Sequence, residues 1–271
     1  MRSSFLVKTL LSLFLFSALA AGGSGLQPHK TFIIVHDSWQ GLCAWQAVKD
    51  NLEVKGQRVI VVELPSHGGE GHLTQDLLMD SYRDKVMTAI TEAGGKVILV
   101  GHSIGGMVIT AVADKMPKKI EKLVYVGAFV PVSGQSLLDI VSKTDSEYEL
   151  GQAGWSTDEE TRLDSEHTLL ATFFYADSLE GIKQLLINNY RNETPVPFSS
   201  KVFFQSKTFT KLDKYYVKTL EDTVIDRELQ AKMIEASGIT KVYPIQSGHS
   251  PFLSAPNVLS KILLSIIGYK Y

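Results

Sequence analysis

The 271-residue chain carries 27 basic and 29 acidic side chains, a formal net charge of −2, with 44% apolar and 21% charged residues. That is long and apolar enough for one sizeable core, and the mildly acidic balance gives no attraction to nucleic acid or an anionic membrane surface. Cys43 is the single cysteine, which excludes an internal disulfide; it reads as a small core residue on a helix.

The first twenty residues stand apart. Arg2 and Lys8 form a basic start, Thr9 to Ala20 is apolar and rich in Leu and Phe, and Ala18-Leu19-Ala20 is a small-residue cleavage signature before Ala21-Gly22-Gly23-Ser24-Gly25. This is the pattern of a secretory signal peptide, expected to be removed from an exported, periplasmic or extracellular protein. The apolar run is shorter than the ~20 residues that span a bilayer, so no membrane contact is expected of the domain 21–271. Losing the two leader cations lowers the net charge from −2 to −4.

Thr31 to His36 reads as the first strand, Trp45 to Val54 as a helix closed by Gly56, and Arg58 to Glu63 as a second buried strand. Asp76 to Glu92 has helical spacing, with Leu77, Tyr82, Val86 and Ile90 on one face. Lys96 to Val100 forms a third strand that runs into Gly101-His102-Ser103-Ile104-Gly105-Gly106, with a helical pattern from Met107 to about Lys115 that Pro117 stops. Leu123 to Val126 is a fourth strand. Lys214 to Lys218 and Ile239 to Ile245 follow as strands, with helices at Ile225 to Ala236 and about Val258 to Ile267. Aliphatic strands alternating with amphipathic helices predict a mostly parallel sheet of about six strands covered on both faces. The alternation is interrupted over about residues 134–210, read as a helical cap inserted over the C-terminal edge of the sheet, where open α/β sheets bind ligands.

Strand, Gly-x-Ser-x-Gly and helix form the setting in which that motif has mechanical meaning. A turn this sharp pushes the Ser103 hydroxyl out of the sheet and aims the helix N-terminus at whatever it attacks. A serine hydroxyl is protonated at neutral pH, so attack needs a histidine base held by a carboxylate. Of seven histidines, His249 in the glycine-flanked loop after the last strand can return over the sheet edge. The carboxylate must come from a loop after a strand between Ser103 and His249. The loop after the fourth strand, Gly127 to Gly134, has no acid; the loop after the fifth has Glu221 and Asp222. Asp222 is preferred, because its neighbour Glu221 points differently; the competing role for Asp222 is an N-terminal cap of the next helix. The Ile104 amide and a donor in the loop after the first strand, best placed at Ser38, would form an oxyanion hole. Asp37, Trp39 and Phe129 from the loops, with Trp155 and Phe174 from the cap, are the expected substrate contacts. No cofactor is required. A metal site at His67-Gly68-Gly69-Glu70-Gly71-His72 is disfavoured, because the glycines make a flexible turn rather than a helix face bearing two ligands.

Three further segments resemble one family. Val35-His36-Asp37-Ser38-Trp39-Gln40-Gly41 with Trp45, Leu64-Pro65-Ser66-His67-Gly68, and Ser247-Gly248-His249-Ser250-Pro251-Phe252-Leu253-Ser254 join Gly101 to Gly106 in resembling the α/β-hydrolase superfamily. The resemblance is nearest to the small esterases of the methylesterase and hydroxynitrile lyase branch, and it spans essentially the whole mature chain. It implies an α/β-hydrolase fold and a serine esterase acting on small-molecule carboxylic esters through an acyl-enzyme. Amide, lactone or carbon–carbon bond hydrolysis with the same triad, and a non-catalytic small-molecule-binding protein on this fold, are the competing readings. Ser250 stands where the lyases have lysine, which argues against cyanohydrin cleavage, and Ser103 excludes the aspartate nucleophile of haloalkane dehalogenases. Asp37 stands where many members have glycine or threonine, beside the expected oxyanion donor.

Overall fold

The computed structural model describes residues 28–38, 41–65, 79–142, 178–188 and 196–270. Six strands, β1 (Thr31–Val35), β2 (Arg58–Val62), β3 (Val97–Ser103), β4 (Ile120–Ala128), β5 (Asp213–Thr219) and β6 (Lys241–Ile245), form one sheet. Their order is β2-β1-β3-β4-β5-β6 and every neighbouring pair is parallel. Phe32 to Val35 and all seven residues of β3 are buried, as strands covered on both faces require. At ~1.5–3 kcal/mol for each fully buried large aliphatic side chain, Ile98, Leu99 and Val100 make β3 a major part of the core.

Between β1 and β3 the chain reverses its direction of travel across the sheet. In doubly wound sheets the loops leaving two such strands diverge and form the crevice in which ligands bind. Helices α1 (Gln46–Glu53), α2 (Met79–Ala93), α3 (Gly105–Lys115), α8 (Arg227–Ser237) and α10 (Pro256–Ile266), the last preceded by the short α9 (Pro251–Ser254), cover the sheet, α1 packing on α10 and α2 on α3.

The interruption between β4 and β5 contains the short helices α4 (Leu137–Val141), α6 (Val196–Ser199) and α7 (Lys207–Thr210), together with α5 (Glu180–Asn188). Its base is tied by an antiparallel bridge. Gly134 donates to the Val202 carbonyl at 2.8 Å and Val202 to the Gln135 carbonyl at 2.9 Å. Ser136 and Asp139 form a capping box that starts α4 immediately after this closure. Among the described residues no helix is long and apolar enough to cross a membrane; residues 1–20, expected to be a signal peptide, lie outside them.

Several boundaries differ from the expectations, for local reasons. Helix α3 starts at Gly105 rather than Met107. Gly106 belongs to its first turn because the helix packs so tightly on the end of β4 that a Cβ there would lie 2.2 Å from the Phe129 carbonyl oxygen. Strand β4 reaches back to Ile120 because Lys122, although polar, lays its ammonium over the Tyr215 ring and donates to its hydroxyl at 3.1 Å. Strand β6 starts only at Lys241. Gly238 adopts the left-handed conformation, and Ile239 N–H donates to the Ile234 carbonyl at 3.2 Å, so Ile239 completes a Schellman cap of α8 instead. Pro256 sits in the first turn of α10, whose N–H groups need no intrahelical acceptor, and the helix begins there rather than at Val258. Cys43 is a correction: it lies exposed on the 3-10 turn Leu42–Trp45, which buries Ala44 and Trp45 instead.

Gly106→Ala should lower the unfolding free energy by about 1–3 kcal/mol, the usual cost of overpacking a dense contact. Urea denaturation of the variant beside the parent protein checks this.

Candidate active site

Ser103 ends β3 with φ of +52°, the sole non-glycine residue with positive φ among those described. A non-glycine residue held there costs on the order of 1–3 kcal/mol, and such strain persists only where the surroundings over-determine it. Those surroundings are visible. The β3–β4 register shifts between His102 and Ser103, so that Ser103 faces Ala128 across a bulge at Gly127. The Tyr216 hydroxyl fills this bulge, donating to the Ala128 carbonyl at 2.9 Å and accepting the Ala128 N–H at 3.1 Å. Burial, and then the charge of Asp222, push the Tyr216 phenol well above its ordinary range, so it keeps the proton that this role requires. The Phe129 N–H donates to the Ser103 carbonyl at 3.1 Å. Gly127, at φ of +43°, also makes room, because a Cβ there would lie 3.0 Å from Thr219 Oγ1 and 3.3 Å from Asp222 Oδ2.

Asp222 follows β5 and His249 follows β6, and the two side chains meet: His249 Nδ1 donates to Asp222 Oδ2 at 2.9 Å, both residues being buried. The carboxylate is fully engaged. Oδ2 also accepts from Thr219 Oγ1 at 2.7 Å, and Oδ1 accepts from the Val224 and Ile225 amides at 2.9 and 2.8 Å. Burial alone would raise the Asp222 carboxyl, but the His249 charge and these hydrogen bonds outweigh it and hold it below the usual carboxylate range. Asp222 is therefore anionic at neutral and mildly acidic pH. Glu221 is exposed and accepts from Gln246 Nε2 at 2.5 Å, facing away from His249. The helix-capping role belongs to Asp226, which accepts from the Leu229 N–H, and not to Asp222.

Backbone hydrogen bonds join these loops. Leu220 N–H donates to the Ile245 carbonyl at 3.0 Å and Glu221 N–H to the Ser247 carbonyl at 2.9 Å, extending the β5–β6 pairing past the sheet. The histidine loop is also tied to the serine turn, since His102 Nε2 donates to the His249 carbonyl at 2.7 Å. The His102 ring lies beside the His249 ring with centroids 4.6 Å apart. Helix α3 begins directly after Ile104, whose carbonyl accepts the Met107 N–H at 2.9 Å as the first bond of the helix, so the amides of Ile104, Gly105 and Gly106 precede the intrahelical ladder.

On the β1 side, Asp37 and Ser38 are buried beside the turn. The loop is fixed by His36, whose Nδ1 donates to the Asp37 carbonyl at 2.6 Å while Nε2 accepts the Leu64 N–H at 3.2 Å. Phe129 is buried in the core cluster beyond β4, its backbone against α3. Trp39, Trp155, Phe174 and the His67–His72 segment lie outside the described residues.

Sequence reasoning missed Thr219, Gln230 and Tyr216. Gln230, on α8 and wholly buried, donates to the Thr219 and Ile225 carbonyls at 2.9 and 2.7 Å and accepts the Thr219 N–H at 3.1 Å, stapling both ends of the Asp222 loop. The one available signal was a glutamine on the apolar face of a helix beside Leu229 and Met233.

The parallel sheet, the strained serine at a strand-to-helix turn and the Asp–His pair in the last two loops together belong to a doubly wound α/β fold. The profile of the Alpha/beta hydrolase family matches residues 32–261, and the chain belongs to that family. The Arabidopsis thaliana protein named "Putative methylesterase 13, chloroplastic" is 30% identical over 248 residues, which is 88% of this chain and 56% of that protein. The chain thus spans little more than half the length of that relative. Methylesterase 2 of Arabidopsis thaliana is 28% identical over 87% of this chain and 95% of its own length. The crystal structure of a polyneuridine aldehyde esterase mutant superposes with a TM-score of 0.77 at 23% identity, covering 88% of this chain and 99% of that one.

Thr219→Val removes a donor to the Asp222 carboxylate while keeping the side-chain volume. Ester turnover is expected to fall about tenfold in kcat, the equivalent of ~1.4 kcal/mol, with KM nearly unchanged. Steady-state kinetics with circular dichroism as the folding control test it.

Proposed function

We propose that this protein is a carboxylic-ester hydrolase working through an acyl-enzyme, with Ser103 as nucleophile, His249 as base and Asp222 as the carboxylate that orients it. The observation that carries this reading is the buried His249 Nδ1–Asp222 hydrogen bond, joined through the His249 carbonyl to His102, the chain neighbour of a serine with φ of +52°. Because Nδ1 donates to Asp222, Nε2 is left as the basic nitrogen that takes the Ser103 proton. Attack on the ester carbonyl forms a tetrahedral oxyanion, which the Ile104 amide at the start of α3 and the Ser38 amide beside β1 stabilise. His249 returns the proton to the leaving alcohol. It then activates a water that releases the acid and restores Ser103.

The methylesterase relatives favour small-molecule esters over amides, lactones or carbon–carbon bonds. We assign residues 134–210, tied at the Gln135–Val202 bridge, as the cap over the crevice, and residues 1–20 as an export signal.

A panel of short- and medium-chain esters, amides and lactones should show ester turnover in the parent protein and none in Ser103→Ala. Turnover surviving in Ser103→Ala removes the nucleophile assignment. Asp222→Asn should lower kcat by about 10⁴ through the wrong histidine tautomer, and a loss under tenfold moves the role elsewhere.

A further inference from the structure

Asp37 is a buried carboxylate that the proposed mechanism does not use, and its surroundings are unusual. Its side chain is wholly buried, and neither carboxylate oxygen has a hydrogen-bond partner among the described residues. The nearest group of opposite character is the Nδ1 atom of His102, 3.7 Å from Asp37 Oδ1 and also without a hydrogen-bond partner. Two unmatched buried polar atoms therefore face each other. An isolated buried carboxylate is strongly unfavourable, so it must be paired with a cation or take up a proton.

The tautomer of His102 decides how. Its Nε2 lies 2.7 Å from the His249 carbonyl, which can only accept, so Nε2 carries a proton. With no further proton, Nδ1 would direct a lone pair at a carboxylate. One additional proton removes the conflict, whether it is held as imidazolium and carboxylate or as imidazole and carboxylic acid. The ring is shielded from water, with Phe252 edge-on at 4.8 Å, His249 at 4.6 Å, and Trp45 at 6.2 Å stacked on Phe252. His36 cannot supply that proton without breaking its own bonds, because its two nitrogens are committed to the Asp37 carbonyl and the Leu64 amide. Beyond His249 the next charge is Asp222, already held by that histidine.

We propose that Asp37 and His102 share one buried proton and act as a single positioning unit tying the loop after β1 to the catalytic-histidine loop. The linkage runs from Asp37, next to the Ser38 donor, through the His102 ring to the His249 backbone. It thereby sets the distance between the oxyanion donor on one side of Ser103 and the base on the other. The Asp37 charge is spent inside the protein and is not presented to substrate. Both are positioning residues, since neither is assigned a contact with the reacting atoms.

The activity arm rests on the ester-hydrolase reading; the spectroscopic arm does not. With the best ester of the panel, Asp37→Ala and His102→Phe should each lower kcat by about 10- to 100-fold, the scale of a small misplacement of catalytic groups, with KM within about twofold. The double variant should be no slower than the slower single one, because both break one unit. Asp37→Asn, whose amide can donate to Nδ1, should recover at least about tenfold over Asp37→Ala. Normal kcat in Asp37→Ala, multiplying losses in the double variant, or no recovery by Asn overturns the proposal. On the full parent chain, NMR of ¹⁵N-labelled histidine should show a proton engaged at His102 Nδ1, lost in Asp37→Ala, while the His249–Asp222 proton remains. A bare Nδ1 overturns the proposal even if every variant misfolds. Turnover persisting in Ser103→Ala would defeat the serine mechanism and leave the NMR result standing.

Discussion

Everything near the candidate site depends on the turn from β3 into α3. Ser103 holds a backbone conformation that costs it energy, at φ of +52°, and neighbouring elements keep it there. Gly106 lets α3 close onto the end of β4, and the Ser103 carbonyl is taken by the Phe129 amide. The Tyr216 hydroxyl satisfies both backbone groups of Ala128 where the β4 register slips. The strain is thus spread over three strands and one helix, which are among the most buried parts of the molecule.

Asp222 and His249 depend on a different kind of support. Neither loop has regular structure at that residue, so their order comes from hydrogen bonds. Backbone pairing carries the β5–β6 register as far as Glu221 and Ser247. Gln230 then binds the two ends of the Asp222 loop, and Thr219 with the Val224 and Ile225 amides fills the carboxylate's remaining acceptor sites. A buried carboxylate with this many donors is the low-energy state of that loop. The interaction with His249 is therefore prepared before any substrate arrives.

Asp37 shows how burial changes the meaning of a residue type. In the sequence it is a negative charge beside an oxyanion donor, a position where it would oppose the charge that develops during ester cleavage. In the fold it is buried with its carboxylate 3.7 Å from the His102 ring, which packs in turn against Phe252 and Trp45. The carboxylate that would hinder an oxyanion instead lies where it can brace the loop that would bind one.

The amino-acid sequence by itself determined the alternation of strands and helices, the parallel sheet and the serine turn, because all of these follow from local periodicity and from glycine's lack of a side chain. It also left Glu221 and Asp222 as the acids that follow the fifth strand and His249 as the histidine that follows the last. Adjacent residues on a loop differ only in direction, and direction is a property of the tertiary structure; that is why the fold pairs Asp222 with His249 and leaves Glu221 to Gln246. Thr219, Tyr216 and Gln230 were not legible for the same reason: each acts through a partner that is remote in the chain or displaced by a loop. Helix ends such as Ile239 and the exposure of Cys43 were decided by caps and packing that outweigh local propensity. The environment of Asp37 was likewise set only when β1 and β3 came to lie side by side, pairing Val35 with Gly101 from 66 positions further along the chain, and brought His102 against it.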